Sequence, residues 1–224
     1  MDMLITLASL LHDIGKFYQR TNIEVDIKSY YQYLVKHNNK YQYHHAAYTA
    51  LFIDTFINQE FRGFADLASS HHLKMWTYVK RADIIASSHD RRDSKDIDEE
   101  DSLLTTRLFS IFNEINIENL KKFQYVKIDE LDNFMGFFEK KAINYQNSVN
   151  EYQNLFIKMC KEILNLGYNT YDNLHHLLYP IIKNYTFAIP ADTFNSNFPT
   201  VGLFDHLKLT TAIANCLAKT SSKR

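Results

Sequence analysis

Residues 10–16 read Leu10-Leu11-His12-Asp13-Ile14-Gly15-Lys16 and place an imidazole beside a carboxylate at the end of an apolar run. Adjacent His and Asp side chains can both reach one divalent ion from a helix end. Lys16, one turn on from His12, can then face an anion bound to that ion. A His-Asp dipeptide means little alone, but His44-His45, His71-His72, Asp83 and His206 follow it. Mixed imidazole and carboxylate donors suit Mn, Fe, Co, Ni or Zn, whereas an all-oxygen set would suit Mg or Ca. Cys160 and Cys216 are too far apart in sequence for a structural zinc-thiolate site. The set His12, Asp13, His45, His71, His72, Asp83 and His206 exceeds what one ion needs, so two ions are the natural number. Two neighbouring ions can activate a bridging water and stabilise the leaving oxygen of a phosphodiester. His37, His89, His175 and His176 lack such company and read as ordinary hydrogen-bonded residues.

Helices must position these groups. Leu4, Leu7, Ala8, Leu11 and Ile14 predict a helix over 3–17, with Gly15 as a stop near its end. A helix through Tyr30, Tyr31, Leu34 and Val35 is expected, broken by Asn38-Asn39. Further helices are read over 44–57, 61–70 and 76–87. His72 and Asp83 are eleven residues apart. On one continuous helix they would share a face but lie about 16 Å apart along the axis, too far for one centre. The chain must therefore turn at Leu73-Lys74-Met75, so that a new helix from Trp76 points Asp83 back. Residues 90–101 are almost wholly charged and read as an exposed loop. Residues 108–117 and 123–128 are candidate short strands. Helices are expected again over 147–166, over 171–184 with Pro180 bending or ending the first part, and over 205–219, with a loop over 187–202.

Composition sets the outer limits. The chain has 224 residues, 46% of them hydrophobic, enough for the core of one large domain. Five glycines and three prolines argue for long helices and against a turn-rich sandwich. A net charge of -1 means that any nucleic-acid binding rests on a local patch, on ions or on partners. Two separated cysteines fit a reducing cytoplasm. No apolar run reaches membrane-spanning length, and 3–11 lacks the basic flank of a signal peptide.

With these residues laid out, the chain resembles the HD superfamily of metal-dependent phosphohydrolases. More narrowly, it is similar to the N-terminal HD nuclease domain of the large subunit of type III-A (Csm) CRISPR effector complexes. The resemblance is carried by LLHDIGKFYQR (10–20), HAAYTALF (45–52), His71-His72 with ADIIASSHDRR (82–92), LFSIFNEI (108–115), LLYPIIKNYTFAIPADTF (177–194) and VGLFDHLKLTTAIANCL (201–217). The last block is the most specific: in that family it supplies from the C-terminal side the histidine that ordinary HD enzymes carry first. The resemblance thus implies an all-α, circularly permuted HD fold, with a small irregular or β insertion near 93–146. His12-Asp13 matches the HD dipeptide, His45 the next histidine, His71 and His72 the paired histidines, Asp83 the final aspartate, His206 the permuted histidine and Lys16 the motif lysine. Two departures, Ser88 followed by His89-Asp90 and Thr200-Val201-Gly202-Leu203 before Phe204, touch no expected ligand.

The resemblance implies a metal-dependent, single-strand-specific deoxyribonuclease of an antiviral CRISPR complex, working with Mn²⁺ or with Ni²⁺, Co²⁺ or Fe²⁺. His12, Asp13, Asp83 and His206 would hold one ion. His45, His71 and His72, sharing Asp13, would hold the second, and Lys16 would offset charge in the transition state. Expected partners are single-stranded DNA and, through a full-length subunit, guide RNA and other Csm subunits, with no membrane. Arg91, Arg92 and Lys208, with Lys80 and Arg81, are candidate phosphate contacts, and Phe17 and Tyr18 candidate stacking rings. The family's palm domains carry a Gly-Gly-Asp-Asp motif for cyclic oligoadenylate synthesis; this chain has no Gly-Gly pair, so that activity is not expected here. The alternatives are an HD phosphohydrolase acting on nucleotides and an idle scaffold domain that docks other subunits.

Overall fold

The fold is described from a computed structural model, for residues 2–89, 106–109, 125–132, 138–139, 145–192 and 199–221. It is mostly helical. Helix α1 (Met3–Leu11) opens on Asp2, whose carboxylate accepts from the amides of Leu4 at 3.0 Å and Ile5 at 3.4 Å. Every residue from Ile5 to Leu11 is buried, which makes α1 the central rod of the fold. The helix expected over 3–17 is interrupted: α2 (Ile14–Arg20) starts afresh after Asp13, whose φ and ψ are −111° and 10°. This break turns both His12 and Asp13 inward.

Gly15 does not act as a stop. It lies in the first turn of α2, against α3 (His44–Phe56), where a Cβ would come within 1.9 Å of the His45 carbonyl oxygen and 2.5 Å of the Thr49 nitrogen. Only glycine permits that approach. Thr49 fastens the junction: its hydroxyl donates to the His12 carbonyl at 2.9 Å and accepts from the Gly15 amide at 3.0 Å. Two backbone groups freed by the helix break are thereby satisfied.

Between α2 and α3, the helix expected through Val35 is replaced by a 3-10 turn (Lys28–Tyr33) and a hairpin, β1 (Val35–His37) with β2 (Lys40–Gln42). Asn38 and Asn39, at φ 46° and 61°, form its tight turn. Short α4 (Ala65–Ser69) delivers His71-His72, the backbone turns over 70–77, and Thr77 caps α5 (Tyr78–Ala86), so the corner demanded by the His72–Asp83 spacing is present.

Helix α6 (Tyr145–Leu164) and α7 (Tyr171–Thr186) complete one wall, and α8 (Leu203–Ser221) returns against α1 and α5. Pro180 neither ends nor splits α7. Pro180 and His176 are both exposed, so the His176 carbonyl that loses its amide partner can meet water. Leu7, Leu10, Leu11, Ile14, Phe17, Phe52, Phe156 and Ile182 lie in one core, each contributing roughly 1.5–3 kcal/mol of burial.

The segments around α8 form a ragged ribbon. Pro190 pairs with Gly202, Phe109 donates to Pro199 at 2.7 Å, Phe109 pairs with Tyr125, and β3 (Tyr125–Val126) pairs with β4 (Phe138–Glu139). The expected strands over 108–117 and 123–128 are thus represented by Phe109 and β3, while 110–124 lie outside the described residues, as does the charged segment from 90 on. The expected loop over 187–202 carries one edge of this ribbon. Among the described residues no helix is long and apolar enough to cross a membrane.

Candidate metal centre

The seven residues singled out by type and spacing converge on one buried point. His12 and Asp13 come from the α1–α2 break, His45 from the first turn of α3, His71 and His72 from the end of α4, Asp83 from α5 and His206 from the first turn of α8. They fall into two groups of four with Asp13 common to both: Asp13, His45, His71 and His72, and His12, Asp13, Asp83 and His206, all donor atoms of a group lying within 4.8 Å of one another.

Asp13 divides its oxygens between the groups. Oδ1 is 3.3 Å from His45 Nε2 and 3.4 Å from His71 Nε2; Oδ2 is 3.4 Å from His12 Nε2 and 3.3 Å from His206 Nε2. Asp83 Oδ1 closes the second group at 3.2 Å from His206 and 3.6 Å from His12. Donors sharing one ion at about 2.0–2.1 Å lie roughly 2.9–3.4 Å apart in tetrahedral or octahedral arrangements, so the spacing fits a cation.

Tautomers are set from outside the cluster. His12 Nδ1 donates to the Ser9 carbonyl at 2.8 Å, and His71 Nδ1 to the Ala68 carbonyl at 2.7 Å. A carbonyl only accepts, so each ring carries its proton on Nδ1 and aims an Nε2 lone pair inward. The Nε2 atoms of His12, His71 and His206 and Oδ1 of Asp13 are buried without a hydrogen-bond partner. Such atoms cost free energy unless a ligand satisfies them. His45 Nε2 and His72 Nε2 meet at 2.7 Å, a contact two lone pairs do not make unless a proton or cation mediates it.

The electrostatics agree. Burial holds the His12 and His72 imidazoles below their usual range and His45 down at about 3, which keeps them in the neutral, ligating form. Burial opposes ionisation of Asp13, but the Lys16 ammonium beside it outweighs that and holds the carboxyl well below the usual range. Asp83 is likewise lowered: burial resists, and the histidines His12 and His206 facing its carboxylate prevail. Burial would lower His206 too, yet the Asp13 and Asp83 carboxylates beside it lift it to about 9.

Other sequence candidates fare differently. Lys16 Nζ lies 2.7 Å from Asp13 Oδ2 and donates to the Ala191 carbonyl at 2.9 Å, so it acts first on Asp13. Lys208 is exposed and, two positions beyond His206, lies about 200° round the helix. Lys80 donates to the Leu73 carbonyl, and Arg81 is exposed. Arg91 and Arg92 lie outside the described residues. Phe17 and Tyr18 are core residues packed on Phe156, not stacking rings for a substrate. Sequence reasoning missed Thr49 and Arg20, whose buried guanidinium donates to the Pro190 carbonyl at 2.7 Å. Their signal was spacing alone: Thr49 follows His45, and Arg20 follows Lys16, by four residues.

Fold and site together define an HD-like helical domain with a buried His/Asp centre. No family model matches the chain. It is 29% identical over 235 residues to the CRISPR system single-strand-specific deoxyribonuclease Cas10/Csm1 (subtype III-A) of Methanocaldococcus jannaschii, covering 95% of this chain and 27% of that protein. The Enterococcus italicus protein of the same description is 29% identical over 228 residues, 94% of this chain and 28% of its own length. Among solved structures, Csm1 of T. onnurineus superposes with a TM-score of 0.57 at 18% identity over 98% of this chain and 29% of that one. A Csm1–Csm4 subcomplex of a type III-A CRISPR-Csm interference complex gives 0.54 at 20%, over 95% and 27%. The chain is homologous to the N-terminal region of Cas10/Csm1, and it spans a little over a quarter of the curated relatives it matches.

Proposed function

We propose that this chain is the metal-dependent nuclease unit of a type III-A CRISPR antiviral complex, hydrolysing phosphodiester bonds of single-stranded DNA. The observation that carries this is the pair of four-donor groups sharing Asp13, with four buried donor atoms left without a hydrogen-bond partner. The name of the curated relatives supports the substrate class.

Two divalent transition-metal ions, Mn²⁺ foremost, would supply an activated water and neutralise phosphoryl oxygens. The residues do the rest. His12, Asp13, Asp83 and His206 hold one position; His45, His71 and His72, with Asp13, hold the other. Ser9 and Ala68 carbonyls fix two of the rings, so the donor set is organised before substrate arrives. Lys16 keeps Asp13 ionised; its side chain is partly exposed, and its ammonium has one N–H beyond those given to Asp13 and Ala191. That N–H can meet a phosphoryl oxygen and favour the charge that develops there. His12 and His71 are fully enclosed, whereas His45, Asp83 and Lys16 are partly exposed, so substrate arrives on their side.

Assembly with Csm-type subunits and guide RNA through a longer polypeptide belongs to the same proposal. The 1–224 span is read as one HD-type unit, interrupted near 93–146.

The test is metal analysis of the purified chain with a cutting assay on single- and double-stranded DNA and RNA. We expect bound transition metal and Mn²⁺-dependent cutting of single-stranded DNA. That activity should disappear in the His12→Ala/Asp13→Ala double variant while helical circular dichroism persists. Unchanged cutting by the variant, or no cutting by the native chain in any transition metal, overturns the proposal.

A further inference from the structure

The partly exposed side of the centre carries a ring that the proposed chemistry does not use. Tyr43, just before His44-His45, sits at φ 60° and ψ 47°, the left-handed region. The other described non-glycine residues with positive φ are Asn22, Asn38 and Asn39. Asparagine tolerates that conformation through its short polar side chain; tyrosine has no such relief, and strain of this kind gathers at functional sites. Packing gives little in return, because Tyr43 is 46% exposed. One face of the ring lies flat on the imidazole of His72, centroids 4.0 Å apart and planes 15° from parallel, and the His45 ring meets it edge-on at 6.1 Å and 88°. His72 covers one face of the ring, and the residue as a whole remains nearly half exposed. A second exposed ring, Trp76, follows His72 by four residues, with the Lys80 ammonium 5.8 Å from its centroid.

We propose that Tyr43 receives one nucleobase of the substrate on its outer face and that this stacking is what selects unpaired strands. The inference rests on the nuclease reading above and names a specificity-determining residue for it. Aromatic rings bind single strands in this way without demanding a particular base, since every base offers a π-face. A base within a duplex is already stacked on both sides and must be extruded before it can use the site. The ring touches His72 and His45, so the stacked base lies within about a nucleotide of the phosphate at the ions. Tyr43 thereby sets which nucleotide flanks the scissile bond.

The test uses the 224-residue chain and a cut-resistant phosphorothioate single strand, with the fluorescent base 2-aminopurine moved one position at a time. We expect quenching on binding at one position beside the cleavage site, retained by Tyr43→Phe and lost in Tyr43→Gly. Glycine accepts the left-handed backbone, so loss in that variant is not a folding failure. An abasic nucleotide at that position should weaken binding by the native chain about 5- to 150-fold. It should add nothing in Tyr43→Gly, whose preference for single over double strands should also shrink. Quenching and abasic effects that survive Tyr43→Gly, in a chain that cuts single-stranded DNA normally, overturn this inference and spare the nuclease reading. A native chain that neither binds nor cuts the strand sinks both.

Discussion

Replacing Gly15 by alanine tests the argument that α2 and α3 are locked together for the sake of the centre. An alanine Cβ would lie 1.9 Å from the His45 carbonyl oxygen and 2.5 Å from the Thr49 nitrogen, where ordinary contact begins at 3.4 Å. Both obstacles are backbone atoms, so no side chain can rotate clear, and α2 must withdraw from α3 by about 1.5 Å. Overpacking of this kind costs roughly 1–3 kcal/mol. The same withdrawal stretches the Gly15–Thr49 and Thr49–His12 hydrogen bonds, each worth about 1 kcal/mol when buried. Helix propensity works the other way, favouring alanine by about 1 kcal/mol. The balance is a loss of about 2–4 kcal/mol. At roughly 2–4 °C per kcal/mol for a chain of this size, the melting temperature should fall by about 4–16 °C. His45 and Asp13 move apart in the same event, so Mn²⁺ affinity measured by calorimetry should drop about tenfold or more. A variant as stable as the native chain, or more stable, would mean that propensity governs the site and that the helix contact is not tight.

Two further outcomes follow from buried chemistry. Addition of Mn²⁺ at about 100 times its dissociation constant should stabilise the native chain by about 2.7 kcal/mol in thermal melts. Asp13→Ala should show none of that gain, because Asp13 serves both donor groups; an equal gain in the variant would place the ions elsewhere. Cys160 is buried and its thiol is pushed up to about 12 by burial, whereas Cys216 is exposed. At pH 8 the thiolate of Cys160 is therefore scarce as well as inaccessible. A thiol-specific reagent should titrate one cysteine in the native chain and two after denaturation, and two fast equivalents in the native state would contradict the packing of α6.

The convergence of these His and Asp residues was legible because chemistry and spacing constrain each other. Eleven residues between His72 and Asp83 required a corner, and the backbone turns there. Helical periodicity found α3, α5, α6 and α8 to within two residues. It failed at 3–17, where apolar residues continue through a break whose freed backbone groups are satisfied by Thr49, a partner 34 positions away from Gly15. It failed again at Tyr30–Val35, where the signal lay in Asn38-Asn39 as a hairpin turn rather than as an interruption. Gly15 was noticed but misread: a glycine near the end of an apolar helix has the same sequence appearance whether it caps the helix or admits another backbone. Lys16 was assigned to the substrate, and no local pattern could have shown its bond to the Ala191 carbonyl.

That bond matters to how the centre is held. His206 arrives on α8, far from His12-Asp13 in sequence, so its position depends on where α8 starts. The Leu203 amide is bonded to the Ile189 carbonyl at 2.6 Å, and the Ala191 amide to the Val201 carbonyl at 3.0 Å, tying the start of α8 to the segment 189–191. Lys16 and Arg20, one helical turn apart on α2, grip two consecutive carbonyls of that segment, Ala191 and Pro190. The lysine that neutralises Asp13 therefore also fixes the segment that delivers His206 to Asp13. Charge compensation and positioning thus meet in one ammonium, which bonds both the Asp13 carboxylate and the Ala191 carbonyl.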